Sequence, residues 1–530
     1  MARWYAGYRV VTPPAPNQEP LVTNTSLWHD AHRRAYPDPL PAKGHVDVLV
    51  IGGGLTGLTS ALLLARAGTD VALVEARSIA AGTTGSSTAK VSLLQGTKLS
   101  RICDRHPVRI VRAYVDANHE GQAWLREFCE EHDVPFALRP AGTYAATPAE
   151  VDAVRSEYDA LEEMGLPVRW SDALDVPFDV HGAAVLDDQV QLDPVDVIHA
   201  LAEQVLAHGG TVHEGQRVRS VTHRDRIVVT FAGGGTLSAD RLIIATGAPT
   251  LSGWLWAAKT TPQRSYLLAL ENAGSVPGMF ISAGDPVRSV RTADPRPGPE
   301  LLLVGGHGHI VGRTRSEAHH LDELRRWAQQ HFPGSVETHA WSAQDYGTPD
   351  ELPMFGPVPG TDKRIHLASG YDKWGMTNAV CAARAITADI LGRPASWAEH
   401  LRSRSLSART IASLARQGLF AGAVQTKGFL GAELTSLPDD VPSGAGTVGR
   451  SGLRPAGISH VGGIECTVSA VCTHMGGILR WNDQERSWDC PLHGSRFDAD
   501  GEVIEGPATK PLAKVERNHH QPAGSGRPSA

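Results

Sequence analysis

Cys472, His474, Cys490 and His493 form a C-x-H … C-x-x-H pattern, with fifteen residues between the two halves. Two thiolates and two neutral imidazoles grouped this way suit a [2Fe-2S] centre in which histidines replace cysteines on one of the irons. Such a centre moves one electron at a time, so partner chemistry elsewhere in the chain has to be redox chemistry. The flanking runs Cys472-Thr473-His474-Met475-Gly476-Gly477 and Cys490-Pro491-Leu492-His493-Gly494-Ser495 carry the glycines and proline that tight turns need. Such turns can aim backbone N–H groups at sulfur. Tetrahedral zinc draws on the same ligand types, but it favours C-x2-C and H-x3-H spacings over this one.

A second set of residues lies near the other end. His45-Val46-Asp47-Val48-Leu49-Val50-Ile51 is short, β-branched and apolar, the pattern of a buried parallel strand. Gly52-Gly53-Gly54-Leu55-Thr56-Gly57 follows as G-x-G-x-x-G, then an apolar helix that Gly68 ends, then a strand from Asp70 to Val74 closed by Glu75. In such a unit Gly52 makes the turn, Gly54 admits a pyrophosphate, and Gly57 lets helix and strand pack closely. The helix N-terminus meets the phosphates, and Glu75 stands where a ribose diol would donate to it. This unit alone leaves FAD and NAD both open.

From about Gly446 to Leu512 the chain resembles Rieske domains, through its C-P-x-H-G-S run with Phe497-Asp498 and Gly501 downstream. The resemblance makes Cys472, His474, Cys490 and His493 the metal ligands. Gly477 and Leu492 stand where high-potential members carry a disulfide across the cluster, and Phe497 replaces a tyrosine hydroxyl. Ser495 remains as a donor to a bridging sulfide. Fewer donors imply a potential toward the lower part of the range of about −150 to +300 mV.

From about His45 to Leu391 the chain resembles D-amino-acid-oxidase-like FAD oxidoreductases. The resemblance is carried by Arg241–Ala248 with its Ala-Thr-Gly end, Gln191-Leu192-Asp193-Pro194, Asp350–Gly356, and Ala368-Ser369-Gly370 … Gly375-Met376-Thr377-Asn378. It implies FAD as cofactor, contacted at Gly52, Gly54, Leu55, Thr56 and Gly57 and at Glu75, Ala76 and Arg77. The Ser/Thr/Gly loop that follows would bring Thr83, Thr84, Thr88, Ala89 and Lys90 to the flavin ring and pyrophosphate. Val218 would lend its backbone to adenine, and Ala245, Thr246 and Gly247 would end the second FAD strand. Gly370, Lys373, Gly375, Met376 and Thr377 would form the last motif, with a helix N-terminus aimed at the flavin N1–C2=O edge.

Arg264, Arg288 and Arg291 are candidate clamps for a substrate carboxylate by guanidinium geometry, with surface ion pairing as the alternative. His307, His309, Trp341, Gln344 and Asp345 are further candidates for the substrate side; no catalytic base is evident. Leu301–His309 imitates a second nucleotide-binding strand and loop, but no acid-ended strand follows, so it reads as part of a substrate domain's sheet.

The expected fold class is an α/β FAD-binding Rossmann-like fold with an interleaved α+β substrate domain, plus a small all-β Rieske domain. The expected divisions are an arm at 1–44, the FAD-binding and substrate domains at 45–392, a connecting segment at 393–436 with a helix from Ala408 to Gln417, the Rieske domain at 437–515, and a disordered tail at 516–530. A net charge of −7 argues against nucleic acid. Glycines and hydroxyls interrupt the apolar run Val46–Ala65, so it does not read as a membrane span. Six cysteines, two of them cluster ligands, make no disulfide framework; with no signal peptide evident, the cytoplasm is expected. The resemblance implies oxidation of an amine or amino-acid-like small molecule at flavin N5, with single electrons passing through the cluster to an acceptor (or from a donor) protein. An oxygen-using oxidase with a docking Rieske unit, or a non-catalytic redox sensor or carrier, are the alternatives.

Overall fold

The computed structural model describes residues 25–30, 34–36, 44–251, 254–257, 259–294, 298–402, 422, 436–452 and 454–516. Most of the leading arm, the helix expected at Ala408–Gln417 and nearly all of the tail lie outside the described residues.

The strand Gly44–Ile51 is central to an eight-stranded sheet. It pairs in parallel with Thr236–Ile244 on one side and Val71–Val74 on the other, and Ile365–Ser369 and Thr211–His213 extend the parallel run. Its residues alternate between two cores, as strand geometry requires. Val48 and Val50 join Leu58, Leu62, Ile198, Leu201 and Val380 from the helices Leu55–Arg66, Pro194–Ala207 and Gly375–Ile390. Leu49 and Ile51 face the other way, onto Val218, Val229 and Phe231 of the hairpin Val218–His223/Ile227–Phe231. The apolar run Val46–Ala65 is thus divided between a strand and a helix. Among the described residues no helix is long and apolar enough to cross a membrane.

A nine-stranded sheet is assembled from segments that fall between these strands in sequence. Its order is Val336–Gly347, Thr261–Glu271, Leu302–Ile310, Arg288–Thr292, Met279–Ser282, Phe136–Tyr144, Ala183–Leu192 and Lys90–Val91, with Arg169–Ser171 beside Ala183–Leu192. The Leu302–Ile310 strand is antiparallel to both neighbours, so the Leu301–His309 segment is sheet and does not open a second nucleotide fold.

The C-terminal part is all β. Gly446–Ser451, Arg454–Val461 and Ile464–Ser469 form one sheet, and Arg480–Asn482, Ser487–Asp489, Arg496–Phe497 and Val503–Glu505 another. Val468, Leu479, Trp488, Phe497 and Leu512 pack with Cys472 and Cys490 in its core. This unit lies against the nine-stranded sheet, which places its second Cys/His turn beside Pro262, Gly312 and Gln344.

Candidate cofactor cavity and metal centre

One cavity runs from the Gly52–Thr56 loop to the nine-stranded sheet. Of the residues singled out for the cofactor, Gly52, Gly54, Leu55, Thr56, Glu75, Ala76, Arg77, Thr83, Thr84, Thr88, Lys90, Val218, Ala245, Thr246, Gly247, Gly370, Lys373, Gly375 and Met376 line it. Three do not. Gly57 faces the strand: a Cβ there would stand 1.9 Å from the Gly52 carbonyl oxygen. Ala89 is fully buried, and Thr377 turns inward to donate to Asn118 Oδ1 at 2.5 Å.

The near end fits a dinucleotide. Gly52 has φ +114°, and a Cβ there would meet the Ala245 carbonyl oxygen at 2.3 Å. The helix Leu55–Arg66 has no side-chain cap at Gly54, and Leu55 and Thr56 of its first turn line the cavity; Leu55 N–H donates to Thr84 Oγ1 at 3.3 Å. An uncapped helix start favours a bound anion. Glu75 holds the loop by accepting from Gly53 N–H (2.8 Å) and Arg77 N–H (2.9 Å). The helix Gly375–Ile390 likewise lacks a side-chain cap, and Gly375 and Met376 at its start line the cavity.

The far end is walled by Lys90, Ser265, Leu267, Ile281, Ser289, Gly306, Gly308, Asp345, Lys373 and Trp374. All three arginines considered for a substrate carboxylate are engaged elsewhere. Arg264 pairs with Asp489 of the β unit at 3.2 Å. Arg291 is fully buried and donates to the carbonyls of Thr88, Leu192 and Thr292. Arg288 binds His307 Nε2 at 2.7 Å and two backbone carbonyls. His307 and His309 alternate with the cavity-lining glycines of their strand and point away from the cavity; His309 is bonded to the Tyr266 hydroxyl at 2.9 Å. Trp341 braces the loop at Ser86 O, whereas Asp345 lines the cavity. Burial, and then the charge of Asp372, raise the Asp345 carboxyl to about 6.

Lys90 is 8% exposed, and its ammonium donates to Ser289 Oγ. Among the described residues no carboxylate pairs with it. Burial, and then the Arg291 charge, lower its pKa to about 7. Lys98, by contrast, is locked between Asp372 at 2.7 Å and Glu351 at 3.5 Å.

Cys472, His474, Cys490 and His493 converge as their spacing suggested. The two imidazoles lie 5.2 Å apart, nearly perpendicular. His493 Nδ1 is buried and has no hydrogen-bond partner among the described residues, which leaves its lone pair available to a metal. Both cysteines are free thiols. Hydrogen bonds from Cys490 and Ser495, against the effect of burial, lower Cys472 to about 7. Each turn closes on itself, Gly476 N–H donating to Cys472 O and Gly494 N–H to Cys490 O, both at 3.0 Å. Leu492 fills the space beside Gly477, where a Cβ would meet its Cδ1 at 2.8 Å. The donor set and its geometry fit a [2Fe-2S] centre.

The sequence reading missed the joint between the two sites. Ile504, Glu505, Gly506, Ala508 and Thr509 of the β unit form part of the cofactor cavity's wall. The turn 489–494 is gripped at three points, two from the nine-stranded sheet and one from the turn after Leu302–Ile310: Arg264 at Asp489, Gln344 Nε2 at the Gly494 carbonyl (2.8 Å), and Arg313 Nε at the Pro491 carbonyl (3.1 Å). Asp483 further caps the helix Glu317–His331, accepting from Glu317 N–H at 2.8 Å. Burial alone would raise the Asp489 carboxyl, but Arg264 and Arg496 outweigh it and hold it below its ordinary value.

Residues 47–389 match the family of FAD dependent oxidoreductases called DAO, and residues 447–516 match the Rieske [2Fe-2S] domain. YhfW of Bacillus subtilis (strain 168), which bears the name of a Rieske 2Fe-2S iron-sulfur protein, is 29% identical over 476 residues, covering 89% of this chain and 93% of its own. Gamma-glutamylputrescine oxidoreductase of Escherichia coli (strain K12) is 27% identical over 404 residues, covering 70% of this chain and 90% of its own. The crystal structure of glycine oxidase from Geobacillus kaustophilus shares the fold, with a TM-score of 0.57 and 19% identity over 68% of this chain and 100% of that one. The chain belongs to the DAO family of FAD-dependent oxidoreductases and joins to it a Rieske [2Fe-2S] domain, so that FAD and the cluster are its two cofactors.

Proposed function

We propose that the protein oxidises a C–N bond of an amine or amino-acid-like substrate and sends the electrons singly through its Rieske cluster to a one-electron acceptor protein. The observation that carries this reading is the shared wall: Ile504, Glu505, Gly506, Ala508 and Thr509 line the cofactor cavity, and the ligand turn 489–494 is bonded to the sheet that closes its far end. Bound FAD supplies hydride acceptance and single-electron release, and the cluster supplies a one-electron relay. The substrate leaves as an imine, having lost two electrons and two protons; two acceptor molecules each gain one electron. The likeness to glycine oxidase and to gamma-glutamylputrescine oxidoreductase supports the amine class. Gly52, Gly54 and the N-terminus of Leu55–Arg66 would hold the pyrophosphate, Glu75 the ribose, and Gly375–Met376 the flavin edge. Cys472, His474, Cys490 and His493 would hold the irons. Anaerobic addition of an amine and amino-acid panel, read by flavin bleaching, tests the substrate class.

Lys90 is the residue best suited to seat a substrate carboxylate. A buried ammonium without a counter-charge is costly, and an anionic ligand relieves that cost. Its pKa near 7 means that binding the carboxylate takes up a proton above neutrality. Apparent KM for a carboxylate substrate is therefore expected to rise by about tenfold per pH unit above pH 7, because the ammonium fraction falls by that factor. Lys90→Met should raise KM and flatten that profile while FAD content stays unchanged. An unaltered KM and slope in the variant would assign the carboxylate to another group.

A further inference from the structure

We propose that Gln344 couples the cluster domain to the FAD cavity, its carboxamide joining the peptide beside the iron ligand His493 to the cavity wall at Tyr346. The inference rests on the relay reading above and names its conduit. Gln344 is 4% exposed, and every polar atom of its side chain is engaged. The amide nitrogen donates to Gly494 O at 2.8 Å and to the Tyr346 hydroxyl at 2.8 Å, and Oε1 accepts from Arg264 Nη2 at 2.9 Å. This inventory fixes the amide's orientation, since a flip would set Oε1 against a carbonyl and the NH2 group against a guanidinium. The backbone of the same residue is tied to the other side of the cavity, its carbonyl accepting from Thr83 Oγ1 at 2.5 Å. Ala343, Asp345 and Tyr346, on either side of it, line the cavity.

From the cavity wall to the residue after His493 the route is therefore covalent apart from one short hydrogen bond. A second route lies within the β unit, where the cavity-lining Ala508 N–H donates to Ser495 Oγ at 3.0 Å; of the contacts from the flavoprotein body, those of Arg264 and Arg313 serve less well than that of Gln344. Arg264, beside the cavity-lining Ser265, reaches Asp489 across a 3.2 Å contact, longer than the 2.8 Å bond from Gln344. Arg313 bonds Pro491 O at 3.1 Å, and neither it nor its neighbours Gly312 and Thr314 line the cavity. Electronic coupling falls more steeply through a gap than through bonds, so the hydrogen-bonded route is favoured. Each electron crosses singly, reduces the cluster by one, and is removed by the one-electron acceptor protein.

The test uses the full-length holoprotein and no substrate. Flash photoreduction of the FAD, with deazaflavin and EDTA as the electron source under anaerobic conditions, is followed by optical and EPR detection of cluster reduction. Gln344→Leu removes the hydrogen bond to the Gly494 carbonyl and is expected to slow electron arrival at the cluster. FAD content, iron content, both midpoint potentials and the EPR g-values of the dithionite-reduced cluster should stay as in the parent. If Gln344→Leu loses a cofactor, Gln344→Glu replaces it, keeping the shape while removing the donor to Gly494, and is expected to show the same slowing. An unchanged rate in a variant with both cofactors intact overturns the role of Gln344 while the relay stands. A parent protein whose cluster takes no electron from its photoreduced flavin defeats the relay and this inference with it.

Discussion

Gly57→Ala is expected to yield a protein that retains its iron but loses its FAD. The added Cβ would lie 1.9 Å from the Gly52 carbonyl oxygen, inside any tolerable contact, and the obstacle is backbone. Gly52 cannot yield in turn: it sits at φ +114° against the Ala245 carbonyl, the strand end that forms the opposite lip of the cavity. The helix Leu55–Arg66 must then move off its strand, carrying its uncapped N-terminus away from the pyrophosphate position. Overpacking of this kind costs about 1–3 kcal/mol in stability, or more where only backbone can move. The cluster domain has its own apolar core around Trp488 and Phe497, so its iron is expected to remain. Flavin absorbance after desalting, set against iron content, reads the result. Gly233→Ala is the control, since a Cβ there meets nothing within 4 Å. Full FAD occupancy in Gly57→Ala would contradict the packing argument.

Arg264→Met is expected to release the cluster domain from the flavoprotein body. Arg264 and Asp489 are 0% and 1% exposed, and neither charge can find water if its partner is removed. Breaking a buried pair from one side usually costs 3–5 kcal/mol. The expected cost here is roughly 2–4 kcal/mol, because Asp489 keeps hydrogen bonds from Asn482 (2.9 Å) and Ser487 (2.8 Å) and the charge of Arg496 at 3.4 Å. Methionine preserves most of the volume, so the loss is electrostatic. Loss of the cluster's visible absorbance on heating or in urea, followed beside flavin fluorescence, should show the cluster transition moving earlier and separating from the flavin transition. Coincident and unshifted transitions would mean that the pair does not hold the domains together. A double-mutant cycle with Asp489→Asn measures the coupling itself.

Much of this architecture is legible in the chain because the chemistry is local. Four ligands in two short turns are contiguous in sequence, and a glycine loop between a β-branched strand and an apolar helix carries its own geometry. The strand at Leu302–Ile310 could be separated from a nucleotide fold because the acid-ended strand that such a fold requires is missing from its neighbourhood. What escaped the reading depends on tertiary proximity. Arg264 is one guanidinium among many in sequence, and only the fold brings it against Asp489. Ile504, Glu505, Gly506, Ala508 and Thr509 follow the cluster motif and carry no flavin signature, yet they wall the FAD cavity. Lys90 reads as part of a Ser/Thr/Gly loop, while the structure sets it on the edge strand Lys90–Val91 of the nine-stranded sheet, beside Ser289. Gly57 and Thr377 belong to motifs whose neighbours line the cavity, and each acts one layer behind it.

The most direct measurement is an anaerobic titration of the purified protein with the amine and amino-acid panel, recorded by absorbance and by low-temperature EPR on the same samples. The account predicts that one substrate bleaches the flavin and brings up the signal of a reduced [2Fe-2S] cluster with no other reductant present. A flavin fully bleached by substrate beside a cluster that stays oxidised until dithionite is added would contradict it.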